Sequence, residues 1–132
     1  MASATTYSAN LLLAWLLTTG TATRPTAWYF ALHTADPTVA GNVAEVTTGT
    51  DADYVRKSLT FATPSGMQDL SSSSVSWTAA SGATTHTVTH GSIWDSASGG
   101  NCLLRGPLLA SRVRTASSVL TFNVGDIVSA AA

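Results

Sequence analysis

The chain carries two different patterns of apolar residues, one before and one after about residue 20. In the first part, apolar side chains recur at the three- to four-residue spacing of one helix face, at Tyr7, Leu11, Ala14 and Trp15. Leucines at positions 12, 13, 16 and 17 extend this face almost around the helix. Because helices that are apolar on all sides are normally covered by other structure, the pattern predicts one short, largely buried helix over about residues 7–18.

The residues around this run favour a helix of the folded domain over a secretion signal. Ser3, Thr5 or Thr6 can cap the first turn through a hydroxyl oxygen, and Pro25 prevents the helix from resuming. A secretion signal would carry a basic residue before its apolar run, whereas the first basic residue here, Arg24, comes after it. The run is also far shorter than the roughly twenty residues that a membrane span requires.

From residue 26 onward, short segments of apolar or alternating residues are separated by turn-forming residues, which is typical of β-strands. The clearest segments are "TAWYFALHT", "YVRKSLTF", "SSSSVSWTAAS", "THTVTHGSIWD", "NCLLRGPLLASRV" and "SSVLTFNVGDIVSAAA". Residues 36–53 lack a strong period and are predicted to form a surface loop. The pattern predicts an all-β fold with one short N-terminal helix, either an antiparallel β-sandwich or a jelly-roll-like barrel. We expect a single domain over residues 1–132, with its β-rich body over about 26–130.

The composition makes several partners improbable. The net charge is −1, and the few basic residues are scattered along the chain, so no dense stripe is available to neutralise phosphates. We therefore expect neither nucleic acid nor a membrane as a partner. Charged residues make up only 10% of the chain, while Ser and Thr fill 38 positions. Such a weakly charged surface suits a protein that is covered by neighbours in an assembly.

The stretch "HGSIWDSASGGNCLLRGPL", residues 90–108, contains the residue types of a serine hydrolase. His90, Ser92 or Ser96, and Asp95 would be its members. Strand alternation places His90 and Ser92 on one face and Asp95 at the turn, so the pattern does not favour a triad. A hairpin turn explains the segment better, with Asp95 bonding backbone amides two residues on, and Gly99, Gly100 and Asn101 adopting or tolerating positive φ. We assign no catalytic residue.

The other reactive side chains have simpler structural explanations. His86 and His90 would lie about 13 Å apart on one strand face, too far to share an ion with each other. Asp51 and Asp53, with Asp36 and Glu45 nearby, lack the order of a calcium loop and are predicted to be solvated. Cys102, the only cysteine, precedes two leucines and is predicted to lie in the core. We assign no metal and no cofactor.

The four tryptophans allow more than one interpretation. Trp15 and Trp28 lie in apolar segments and are predicted to be core residues. Trp77 and Trp94 lie near strand ends beside polar residues, where core packing or a subunit interface is favoured over stacking against a sugar ring.

Taken in order, four segments resemble a family of small tailed-bacteriophage virion proteins that are usually labelled tail-fibre or minor tail proteins. After the leucine-rich helix come "PTAWYFALHTADPT", "GNVAEVTTGTDADYVRKSLTF", "GSIWDSASGGNCLLRGPL" and "FNVGDIV". The family pattern has leucine where this chain has Cys102 and lacks the inserted Ser92. The resemblance implies a non-enzymatic structural component on the exterior of the virion, made in the host cytoplasm. A head-decoration protein is an equally compatible interpretation.

The resemblance also implies other virion proteins of the tail or capsid as partners. It further implies a homo-oligomer, for which three-fold symmetry is the usual arrangement of proteins that decorate virions. The parts expected to reach neighbours are the helix and the loop at 36–53, and the candidate interface residues are Tyr7, Leu11, Trp15, Trp77 and Trp94. The alternative function is a carbohydrate-binding β-sandwich module for host attachment, in which Trp77 and Trp94 would stack against a host glycan.

Overall fold

A computed structural model describes residues 3–130. Within that range the chain forms one helix, α1 (Thr6–Leu17), and nine strands. The strands are β1 (Ser3–Ala4), β2 (Trp28–His33), β3 (Lys57–Leu59), β4 (Gln68–Leu70), β5 (Val75–Thr78), β6 (His86–Trp94), β7 (Cys102–Arg114), β8 (Val119–Phe122) and β9 (Val128–Ala130). The helix begins and ends one residue before the predicted bounds and is followed by strands as predicted, but the short strand β1 that precedes it was not predicted.

The strands form one large antiparallel sheet and two small ribbons. The large sheet has the order β1-β7-β6-β2-β3, and the ribbons pair β4 with β9 and β5 with β8. Phe30 of β2 packs against Trp77 of β5 and Phe122 of β8, with ring centroids 5.9 and 5.1 Å away. Since these aromatic side chains come from both layers, the core lies between the layers. The predicted all-β fold is confirmed. The two packed layers are consistent with the β-sandwich, the first of the two predicted architectures.

The turn between β6 and β7 is built around Asp95. One carboxylate oxygen accepts a hydrogen bond from the Asn101 backbone N–H at 2.7 Å, and the other accepts from the Asn101 side-chain amide at 2.9 Å. Gly99 and Gly100 have φ of +61° and +71°, as expected. Two details of the prediction were wrong. Asp95 bonds the residue six positions on instead of two, and among the described residues the positive-φ positions do not include Asn101.

A bulge interrupts the pairing of β6 with β7. His90 lies opposite Pro107 and Val88 lies opposite Arg112, so the single residue Thr89 faces residues 108–111 of β7. The bulge pushes this part of β7 outward, and Leu109 at its tip is fully exposed.

Helix α1 differs most from its prediction. Every residue of α1 is exposed or half-buried, whereas the sequence pattern predicts a largely buried helix. Among the strands, it contacts mainly β1 and β7 of the large sheet. The apolar pattern was interpreted correctly as a helix, but the chain itself does not cover it. Across residues 3–130, the structure has no helix long and apolar enough to span a membrane.

The loop at 36–53 follows the body of the protein closely instead of standing free in solvent. Asp51 is buried and forms an ion pair with Arg114 at 3.0 Å. Glu45 is half-buried and forms an ion pair with Arg56 at 2.8 Å. The prediction of solvated loop acids therefore holds for the exposed Asp36 and Asp53 and was wrong for Asp51 and Glu45.

Candidate interaction surface

The N-terminal end of α1 is fixed to the start of β7 by a built cap. The Thr5 hydroxyl donates to the carbonyl oxygen of Cys102, and the Ser8 hydroxyl lies within bonding distance of the Leu103 carbonyl. Thr5 and Ser8 also form a capping box, in which each side chain accepts from the backbone N–H of the other residue. Thr5 is 2% exposed, so this attachment point is part of the protein interior. The cap holds the helix in a defined direction on the sheet.

Beyond this attachment the helix projects into solvent. The exposed fraction rises from 37% at Tyr7 to 68% at Trp15 and 76% at Leu17. The helix contains no Asp, Glu, Lys or Arg. The free end of α1 is thus an uncharged surface of leucine and tryptophan side chains. We call this surface the α1 patch; its members are Leu12, Leu13, Trp15, Leu16 and Leu17.

The tip of the loop at 36–53 lies beside the base of α1. The backbone N–H of Thr6 donates to the carbonyl of Val39 at 3.0 Å, and the Val39 side chain is exposed. Thr38, the preceding residue, has φ of +64°, which is unusual for a β-branched residue. A hydrogen bond from its backbone N–H to Asp36 at 2.8 Å supports this conformation. The two parts of the chain that we expected to reach neighbours are therefore adjacent.

Gly41 fixes the same loop tip to the sheet from the other side. A Cβ atom at this position would lie against the side chain of Cys102, and the φ of Gly41 is +76°. Only glycine fits this close approach without displacing the loop. Cys102 is buried, as predicted, and burial raises the pKa of its thiol to about 11. It is a packing residue and not a nucleophile.

Arg56 joins three parts of the chain around Trp94. Its Nε and one terminal nitrogen donate to the two carboxylate oxygens of Glu45, both at 2.8 Å. The other terminal nitrogen donates to the carbonyl oxygens of Ser96 and Gly99 in the β6–β7 turn. The guanidinium carbon lies 3.6 Å from the centroid of the Trp94 ring. Burial alone would raise the pKa of Glu45, but hydrogen bonding and charge from Arg56 outweigh it and lower that pKa.

The histidine that contacts Ser92 is His33, and not His90, which was the histidine of the rejected triad. His33 Nδ1 lies 2.8 Å from the Val43 carbonyl, which can only accept, so Nδ1 carries the proton. Nε2 then accepts from the Ser92 hydroxyl at 2.6 Å, and Ser92 in turn accepts from the indole N–H of Trp94 at 2.7 Å. His33 and Ser92 are 0% and 1% exposed. This pair links adjacent strands in the interior, where a substrate has no access to the hydroxyl.

The structure separates the remaining candidate residues. The ring Nδ1 of His86 lies near the carbonyl of Thr84, and that of His90 near the hydroxyl of Thr89, so each histidine has its own local partner. Leu11 is half-buried on α1, between the exposed Tyr7 and Trp15. Trp15 was predicted to be a core residue, and this was wrong because its side chain is exposed. Trp28, the other predicted core tryptophan, is half-buried.

Trp77 and Trp94 are buried within the chain, at 2% and 6% exposed. The indole N–H of Trp77 donates to the carbonyl of Val55 at 2.7 Å, and Arg56 covers one face of Trp94. Of the two favoured interpretations, core packing is thus the correct one, and the assignment of Trp77 and Trp94 as interface residues was wrong for these buried rings. Neither ring offers a face to a subunit interface or to a sugar ring.

A compact β-sandwich with a rigidly mounted, uncharged and exposed helix has the features of a structural protein that assembles with other molecules. A family model described as "Podophage GP4 fiber I protein gp80" matches residues 3–130. The chain belongs to this family and is a fibre-type structural protein of the phage virion, located at the virion exterior and in contact with other virion components. A comparison with curated proteins found no match. The expected resemblance to phage fibre proteins is confirmed.

Proposed function

We propose that the chain is a non-enzymatic accessory component of the tail fibre and that the α1 patch, with the adjacent loop tip at Val39, attaches it to neighbouring virion proteins. The observation that carries this proposal is the exposure of α1. A helix of twelve residues is marginal in water without packing. When an apolar helix is not buried by its own chain, its exposed surface is normally buried against another molecule.

The energetics favour the same assignment. Full burial of a leucine side chain contributes about 1.5–3 kcal/mol. Four leucines of the α1 patch are each more than half exposed, and Trp15 adds a large aromatic surface. Covering the patch thus contributes several kcal/mol, against the roughly 8 kcal/mol net that a micromolar contact requires. The patch supplies a substantial part of a specific contact, and the loop tip supplies more.

Incorporation into particles tests this proposal. Leu16→Glu places a charge in the α1 patch at an exposed position, so the isolated variant should fold normally. Val119→Glu is the matched control, because Val119 is a similarly exposed apolar residue on β8, in the layer opposite the sheet that carries α1. Phage grown with each variant as the sole source of this protein would be purified and probed with an antibody to the chain.

We expect the Leu16→Glu variant to be absent or strongly depleted from particles and the Val119→Glu variant to be present at the normal level. Normal incorporation of Leu16→Glu would refute the proposed attachment surface. Immunogold labelling of the Val119→Glu particles would show the site of attachment, at the tail for a fibre component and over the head for a decoration protein. The fibre family favours the tail.

Carbohydrate binding is not our proposal, because the two tryptophans on which it depended are buried.

A further inference from the structure

A groove lies on the sheet side of the molecule, between β7 and the β4–β9 ribbon. Its volume is about 580 Å³. Its floor and walls are mainly apolar side chains from both layers of the sandwich: Phe30, Leu104, Leu108, Phe122, Ile127 and Val128. The outward bulge of β7 forms one rim, with the exposed Leu109 at its tip and Arg112 at its end. The residues lining this groove include no residue of α1 of the same chain.

We propose that α1 of one copy of this chain occupies the groove of a second copy. This inference rests on the proposed function of α1 and names one of the neighbours that cover it. The helix is apolar on every side from Leu11 onward, so contact along a single stripe would leave part of it exposed. A groove with two walls covers more of such a helix than a flat face does. The cap at Thr5 and Ser8 holds α1 away from its own groove and leaves it available to another copy.

Charge complementarity favours the same pairing. The C-terminal end of a helix carries a partial negative charge, and the last turn of α1 has no basic residue to offset it. Arg112 is exposed at the groove rim and, among residues 3–130, makes no ion pair. An inserted helix whose C-terminal end lies near Arg112 gains the missing positive charge. Since α1 itself is uncharged, the insertion adds no ion to the groove, whose own lining includes Asp126 and Arg105 besides Arg112.

The proposed contact joins two different surfaces, so each copy both donates a helix and accepts one. Such a heterologous contact closes into a ring when its rotation permits. Both surfaces belong to the same part of the sheet, since α1 is capped on Cys102 and Leu103 and the groove begins at Leu104. Each copy of a closed ring therefore buries two surfaces, one in each of its two contacts.

Sedimentation velocity on the pure full-length chain tests the contact. We expect the wild-type protein and the Val119→Glu control to be oligomeric at micromolar concentration. The donor variant Leu16→Glu and the acceptor variant Leu109→Glu should each dissociate at least tenfold more readily, because each places a charge in the apolar contact. Both positions are exposed in the single chain, so circular dichroism should show unchanged folds. Arg112→Glu, a second acceptor variant, should weaken association as well.

Mixing the Leu16→Glu and Leu109→Glu variants distinguishes the helix-in-groove contact from an oligomer in which the α1 helices of several copies pack against one another. The Leu109→Glu chain keeps an intact helix and the Leu16→Glu chain keeps an intact groove, so the mixture should form a 1:1 complex at concentrations at which each variant alone is monomeric. A helix bundle predicts no such rescue. Absence of the 1:1 complex, or an oligomeric Leu109→Glu variant beside a monomeric Leu16→Glu variant, would overturn the proposal.

Failure of this inference and failure of the proposed function are distinguishable. If the wild-type chain is monomeric at all concentrations while Leu16→Glu still prevents incorporation into particles, the copy-to-copy contact is refuted and attachment through α1 stands. If Leu16→Glu is incorporated normally, the attachment role fails whatever the oligomeric state.

Discussion

His33 has no exposed surface, and both of its ring nitrogens have partners that suit the neutral ring. Protonation would turn Nε2 into a donor facing the Ser92 hydroxyl. That hydroxyl already accepts from Trp94, so its own proton would need a new acceptor in a closed environment. Burial is the main reason that the pKa of His33 lies below its usual value of 6.5.

This lowered pKa predicts acid sensitivity. Because the unfolded chain binds a proton near pH 6.5 and the folded chain does so only at lower pH, the stabilising effect is complete above that value and is lost as the pH falls below it. We expect the free energy of unfolding by urea to decrease between about pH 7.5 and pH 5.5. A His33→Gln variant should lose most of this dependence, although it is less stable throughout. A pH-independent wild-type protein over this range would contradict the prediction.

Arg56 shows what a single arginine contributes to the loop geometry. Its guanidinium donates four hydrogen bonds, two to Glu45 and two to carbonyl oxygens, while its plane covers Trp94. A lysine at this position could not make the same set of bonds. The sequence gives no sign of this role, because Glu45, Arg56 and Ser96 are brought together only by folding.

At the scale of elements, α1 depends on its first turn. Thr5 caps the helix and also donates to a buried carbonyl of β7. Thr5→Ala should destabilise the chain by about 1–2 kcal/mol and reduce its helical signal. Thr6→Ala is the control, since Thr6 is exposed on the first turn and its substitution should change stability by less than about 0.5 kcal/mol. Urea unfolding and far-UV circular dichroism would measure both. Equal effects of the two substitutions would show that the cap does not hold the helix.

The comparison of α1 with its prediction shows what apolar periodicity can establish. Spacing identified the helix to within one residue at each end, and the hydroxyl residues before it included the true cap. The same pattern also predicted burial, which was wrong for the single chain, because periodicity reports that a face needs covering and not which molecule covers it. On the proposed function, the leucines that the chain itself leaves exposed mark the face that another molecule covers.

Contacts between residues that are far apart in the sequence are the second feature that the sequence alone could not predict. His33 and Ser92 lie on β2 and β6 as diagonal neighbours, two residues apart in register. Asp51 and Arg114 form a buried pair from positions 63 residues apart. Neither pairing follows from local patterns, because strand register is fixed by the packing of the whole sheet. The β6–β7 turn, whose bonds are local, was largely predicted.

At the scale of the whole molecule, the tryptophans can report assembly. Trp77 and Trp94 are buried in the sandwich, whereas Trp15 is 68% exposed on α1. Acrylamide should quench Trp15 in the monomeric Leu16→Glu variant and quench it much less in assembled wild-type protein. Adding Trp15→Phe to each chain should remove most of this difference. Equal quenching of assembled and monomeric chains would show that α1 stays in solvent.

The attachment of α1 to the sheet, which leaves the rest of the helix exposed, has a further consequence during infection. A helix that is held outward from the moment the chain folds is as accessible to other apolar surfaces as to its own partner. With little charge on the molecule to oppose collisions, chains whose α1 is not yet covered would aggregate as their concentration rises. The solubility of the free chain thus limits the concentration that unassembled chains can reach before they are incorporated into particles. Efficient production calls for the supply of this fibre protein to match the supply of its binding sites.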